Sequence, residues 1–159
     1  MASQTMIQQA VEKTENAVAD GLNTTVANAI VSYQKLHHYH WRVTGEQFFD
    51  LHEKFEGLYD KFAGILDDVA ERMLMIDASP VKTLREALSL ATIQEETETP
   101  PPAEMVARTI ADLKTQRDQM IAVIAEADKA GDRSTVNLLD GIIDGLDKDI
   151  WMLRAYNAA

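Results

Sequence analysis

The stretch FFDLHEKFEGLYDKFAGILDDVAERMLMI, residues 48–76, decides the fold. Phe48, Leu51, Phe55, Leu58, Phe62, Ile65, Val69 and Met73 recur at spacings of three and four, the period of an α-helix that buries one face. Asp77-Ala78-Ser79-Pro80 stops it. A second set of residues shares the same helix. With His52 as zero, Glu56 lies at about 40°, Asp67 at about 60° and Glu71 at about 100°. All four project from one side, beside the apolar stripe. Carboxylates in such a position are costly unless something neutralises them. A cation is one such partner, and histidine with carboxylate is a donor set of non-haem iron.

Outward from this segment, the pattern stays helical. On its N-terminal side a helix is predicted over Thr24–Arg42, with Val26, Ile30, Tyr33, His37 and His40 on one stripe and Asn23, Thr24 and Thr25 offering its N-cap. Residues 6–19 carry a weaker helical pattern that extends or precedes it. Val43-Thr44-Gly45 is the turn into the second helix. All four prolines lie between Pro80 and Pro102, which marks residues 80–102 as a connection, with a short helix at Thr83–Leu88 and an acidic loop after it. The third helix starts at the prolines and ends near Ala130-Gly131; the fourth runs over Ser134–Tyr156. Hairpin signals are nearly absent. Two helices, a long crossover with a short helix, then two more helices give an all-α chain with the outline of a ferritin-like four-helix bundle. Residues 1–159 read as a single domain, with 1–22 as an N-terminal extension.

Composition narrows the chemistry. The chain has 159 residues, one domain's worth, and no cysteine. Disulfides, thiolate metal sites and cysteine nucleophiles are excluded. The formal net charge of -11 disfavours nucleic acid as a partner and favours cations. The start of the chain lacks the basic and apolar blocks of a signal peptide, and no apolar run reaches the roughly 18 residues of a membrane span. The expectation is a cytoplasmic protein without membrane contact.

The four histidines are His37, His38, His40 and His52. The plain reading of the first three is a polar patch ending helix one, and of His52 a hydrogen-bonded, half-buried residue. The carboxylates favour ligation. Yet His52 and Glu71 are about 28 Å apart along one helix axis, too far to share a metal. Their positions are mirror-spaced: His52 with Glu71, and Glu56 with Asp67, have a common mid-point within Tyr59–Ile65. Two copies packed antiparallel about a two-fold there set His52 against Glu71 of the second copy and Glu56 against its Asp67. Two-fold interfaces are self-complementary in this way. The expectation is two equivalent metal sites shared across a dimer interface, with His40 a further nitrogen donor. An internal di-iron site needs a Glu-x-x-His pair on each of two helices. No histidine follows residue 52, so helices three and four supply none, and that arrangement is disfavoured.

The spaced residues His40-Trp41-Arg42-Val43-Thr44-Gly45, Phe48-Phe49, Leu51-His52-Glu53-Lys54-Phe55, Leu58-Tyr59 and Asp67-Asp68-Val69-Ala70-Glu71-Arg72 resemble the Dps mini-ferritins. The resemblance covers roughly residues 22–157, including Trp151-Met152-Leu153-Arg154-Ala155. It implies a homododecameric shell with tetrahedral symmetry. It implies Fe(II) binding between two-fold-related chains, oxidation preferentially by hydrogen peroxide, and storage of ferric mineral, with protection against oxidative damage. The implied ligands and catalytic residues of this non-haem iron site are His40, His52, Glu56, Asp67 and Glu71. The first three come from one chain and the last two from its partner. Glu56 stands where the family most often has Asp. Trp41 adjoins the site, either as interface core or as an electron donor, and Tyr59 has the same two readings.

Three-fold iron-entry channels lie in this family around the turn between helices three and four, where this chain has Glu126, Asp128, Asp132 and Asp140. DNA binding in the family usually depends on lysine-rich tails. Residues 1–20 hold Lys13 against Glu12, Glu15 and Asp20, and the end Ala155–Ala159 has no basic residue, so no nucleic-acid binding is expected. The alternative to a ferroxidase is a metal-sequestering or DNA-protecting cage with little catalysis. Trp151 is expected to pack near the end of helix four, and the seven methionines to fill the core.

Overall fold

The structure, a computed structural model, describes residues 2–157. Met1 and the last two residues of the uncharged C-terminal end, Ala158 and Ala159, lie outside the described residues. The elements are all helices: α1 (Ala2–Arg42), α2 (Phe48–Met75), α3 (Leu84–Leu90), α4 (Pro102–Ala130) and α5 (Arg133–Asn157). Four long helices form the bundle and α3 lies in the crossover. None is long and apolar enough to cross a membrane.

The stripe of α2 is the centre of the core. Leu51, Phe55, Leu58, Phe62, Ile65, Val69 and Met73 are buried, and Phe48 is half-buried. They meet Leu22, Val26, Leu36 and Tyr39 of α1, Met105, Leu113, Met120 and Val123 of α4, and Leu139, Leu146 and Ile150 of α5. Burying each such side chain contributes about 1.5–3 kcal/mol. α1 packs along α2 and α4, and α4 along α5. α2 and α5 are joined instead by long side chains. Lys54 and Lys61 both donate to the buried Asp149, and Arg72 donates to Asp132 and Thr135.

The first helix differs from the sequence expectation. It begins at Ala2, not at Thr24. The Thr24 and Thr25 hydroxyls donate to the carbonyls of Asp20 and Gly21 within the continuing helix, so they cap nothing. Asn23 is used elsewhere: its amide donates to the Ser79 carbonyl and its oxygen accepts from Val81 N–H. Val18 and Leu22 are already in the core. Gly21 lets α1 approach α4, since a Cβ there would lie 2.5 Å from Val123 Cγ2.

The crossover is strapped to α1 by polar side chains. Asn28 accepts from Thr92 and Ile93 N–H. Lys35 pairs with Asp112 at 2.8 Å and donates to the Gln94 carbonyl. Tyr39 donates to Glu96, whose two carboxylate oxygens also accept from Arg108 Nη1 at 2.9 and 3.0 Å. Burial alone would raise the Glu96 carboxyl. The donors Tyr39, Glu98 N–H and Arg108 outweigh it and hold the group at about 2. The same burial and the Glu96 charge push the Tyr39 phenol up.

Two further expectations change. Trp151 does not pack within the chain; it is 66% exposed, in a shallow groove beside Arg117, Asp147 and Arg154. Of the methionines, Met73, Met105 and Met120 fill the core, but Met6, Met75 and Met152 are exposed.

Candidate metal centre

Gly45, at φ +100, turns the chain between α1 and α2 in a conformation that favours glycine. The turn lays the end of α1 against the start of α2 and brings His40 to His52. The two residues lock each other in place. His40 Nδ1 donates to the His52 carbonyl at 2.8 Å, and His52 Nδ1 donates to the His40 carbonyl at 2.8 Å. A carbonyl only accepts, so both protons sit on Nδ1 in the neutral rings. Each Nε2 is left with a free lone pair, the form in which histidine binds metal. The rings stack with centroids 3.7 Å apart, and Phe48 stacks on His52 from the other side at 4.9 Å.

Glu56, one turn along α2, completes the group. Ligand atoms of His40, His52 and Glu56 lie within 4.8 Å of one another. Both histidines are half-buried and Glu56 is exposed. Two imidazole nitrogens and one carboxylate with open positions suit a divalent first-row metal, Fe(II) among them. Tyr59 stands against this group, edge-on to His40 at 5.4 Å and stacked on His37 at 3.7 Å. Loss of solvent and the charges of Glu56 and Asp60 push its phenol up. Trp41 is 61% exposed at the edge of the cluster, 5.3 Å from His37.

Asp67 and Glu71 are not part of this group. α2 is unbroken over Phe48–Met75, so they sit at its far end, exposed and on the same outward side. One chain therefore carries two separated halves of the predicted ligand set.

The carboxylates of the α4–α5 turn are engaged differently. Glu126 pairs with Lys129 and Asp128 with Arg133. Asp132 caps α5, accepting from Thr135 N–H at 3.0 Å, and pairs with Arg72 at 2.6 Å. Partial burial would raise its carboxyl, but the Thr135 hydroxyl and N–H and the Arg72 guanidinium hold it below the ordinary aspartate value. The spacing Asp132-x-x-Thr135 was the available signal for a cap. The reciprocal histidine bonds had no signal in spacing, because they depend on how the Gly45 turn closes.

A four-helix bundle with a helical crossover and a histidine–carboxylate group on the outer side of its second helix defines a ferritin-like protein. The ferritin-like domain family matches residues 19–158. The DNA protection during starvation protein of Brevibacillus brevis is 44% identical over 142 residues, covering 89% of this chain and 95% of that protein. The crystal structure of a Dps protein from Bacillus brevis superposes with a TM-score of 0.89 at 43% identity, covering 91% of this chain and 97% of that one. The Dps protein of Vibrio cholerae O1, described as a member of a broad superfamily of ferritin-like diiron-carboxylate proteins, superposes with a TM-score of 0.87 at 30% identity, covering 91% of both chains. The chain belongs to the Dps family of ferritin-like proteins.

Proposed function

We propose that this protein is a ferroxidase and iron store. It forms a homododecameric shell, takes Fe(II) and hydrogen peroxide as substrates, and keeps the ferric product inside. Each site is built from His40, His52 and Glu56 of one protomer with the partner's Asp67 and the partner's Glu71. Two Fe(II) release one electron each, and the O–O bond of one hydrogen peroxide accepts both. With two protons the products are two Fe(III) and two waters, so no hydroxyl radical is set free. The observation that carries this reading is the locked histidine pair. Its Nδ1 atoms are held by backbone carbonyls and its ring ligand atoms gather with Glu56 within 4.8 Å, while Asp67 and Glu71 lie at the other end of the same helix.

Protection runs through removal of iron and peroxide rather than through DNA contact. Residues 1–20 carry a net acidic charge and the whole chain carries -11, so the phosphate contacts of non-specific binding are missing. Glu126, Asp128 and Asp132 line the iron entry, and Asp132 also caps α5 and holds the turn through Arg72. The setting is the cytoplasm.

The test is anaerobic Fe(II) oxidation with added hydrogen peroxide, comparing wild type with an Asp67→Ala/Glu71→Ala variant. The expected result is rapid oxidation in the wild type and a loss of about tenfold or more in the variant. Equal slow oxidation in both would reduce the protein to a sequestering cage.

A further inference from the structure

The outer face of α2 carries two large apolar side chains near its ends. Phe49 is 80% exposed and Leu74 is 61% exposed. Nothing among the described residues covers them. Phe49 lies one turn before His52, and Leu74 lies one turn after Glu71. Both sit on the ligand side of the helix: with His52 as zero, Phe49 is at about 60° and Leu74 at about 40°. Glu56 and Asp67 fall at the same two angles. The middle of the outer face is therefore a row of Phe49, Glu56, Asp67 and Leu74.

This row has the symmetry of the ligands. His52 with Glu71 and Glu56 with Asp67 are equidistant from the level between Lys61 and Phe62. Phe49 and Leu74 are equidistant from the same level. Exposed apolar residues have no chemical reason to share a mid-point with metal ligands, unless one partner helix meets both sets. The half-buried Tyr59 has the same relation to Gly64. Beyond the adjoining residues and the backbone of α2 itself, nothing described lies within 4 Å of where a Gly64 Cβ would be, which leaves a notch for a ring.

We infer that Phe49 docks on Leu74 of a second, antiparallel copy of this chain, so that an apolar clasp closes the outer end of each shared metal site. The inference rests on the two-fold reading of the proposed function. It adds the residues that hold the register and shut the site from solvent. Phe48 continues the shield, since it touches Phe49 at 5.2 Å and stacks on His52. Two clasps form per pair of chains, one beyond each His52–Glu71 contact.

The chain has no cysteine, so the contact can be trapped directly. A Phe49→Cys/Leu74→Cys variant of the assembled protein is treated with a short thiol-to-thiol cross-linker and run on a denaturing gel. Within one chain the two positions are about 38 Å apart along a straight helix, beyond the reach of the reagent. The expected result is a covalent dimer in high yield from the double variant, and none from either single variant. No dimer, or equal dimer from the single variants, overturns the clasp. Asp67→Ala/Glu71→Ala oxidation rates separate the two ideas. If cross-linking fails while oxidation still needs these carboxylates, the shared site stands and the clasp falls. If oxidation also ignores them, the two-fold reading falls with it.

Discussion

The inner and outer faces of α2 follow different rules within one helix. The inner face is finished by its own chain: Phe55, Phe62 and Val69 have no exposed surface, and Lys54, Lys61 and Arg72 on its flanks find Asp149, Asp132 and Thr135. The outer face is left open. Its His52, locked with His40 of α1 by backbone carbonyls, keeps Nε2 free, its carboxylates Asp67 and Glu71 are exposed, and Phe49 and Leu74 stand in solvent. One face builds the bundle, and the other, in the proposed assembly, meets a second chain.

Substitutions sharpen this contrast, starting with the inner face. Phe62→Ala should cost about 3–5 kcal/mol of stability, read as the denaturant midpoint. A cost near zero would mean that α2 is not the core helix. Asp149→Ala leaves Lys54 and Lys61 without their shared acceptor. The loss should be about 1–2 kcal/mol, because the lysines are 24% and 35% exposed and partly solvated. Asp132→Ala removes a cap and should cost about 1 kcal/mol, with Glu126→Ala or Asp128→Ala neutral in stability but slower in iron uptake at low salt.

Acid adds a graded effect on the crossover. Glu96 sits at about 2 in the folded chain against an ordinary 4.5. Its contribution is therefore complete above about 4.5 and is lost as pH falls toward 2. Exchange of the Thr92 and Ile93 amides, held by Asn28 nearby, should quicken across that window, and Glu96→Gln should remove the pH dependence. The outer face should show the smallest stability effect. Asp67→Ala and Glu71→Ala should each stay within about 0.5 kcal/mol of wild type in chain stability, while both abolish rapid oxidation.

The same contrast explains what could be read from the residues alone. The buried stripe of α2 was legible because helical periodicity is a local property. The separation of Asp67 and Glu71 from the histidines was legible because the rise of an unbroken helix sets it. The start of α1 was not. Asn23, Thr24 and Thr25 resemble a cap, and only the Ser79–Val81 segment packed beside them shows that Asn23 serves the connection after α2. The histidine tautomers depend on the Gly45 turn, which spacing does not encode. That Asp132 also pairs with Arg72 was not legible, because Arg72 lies 60 positions away.

The central claim is that each metal centre is completed by a second chain, and mixed assembly tests it most directly. His52→Ala and Glu71→Ala chains are co-expressed, and peroxide-driven Fe(II) oxidation is measured on the mixed shells. In a mixed pair one site loses both residues and the other regains both. Random pairing then restores about a quarter of the sites, although each variant alone is inactive. Activity that stays at the level of the separate variants would contradict the account, because it would place His52 and Glu71 in the service of the same chain.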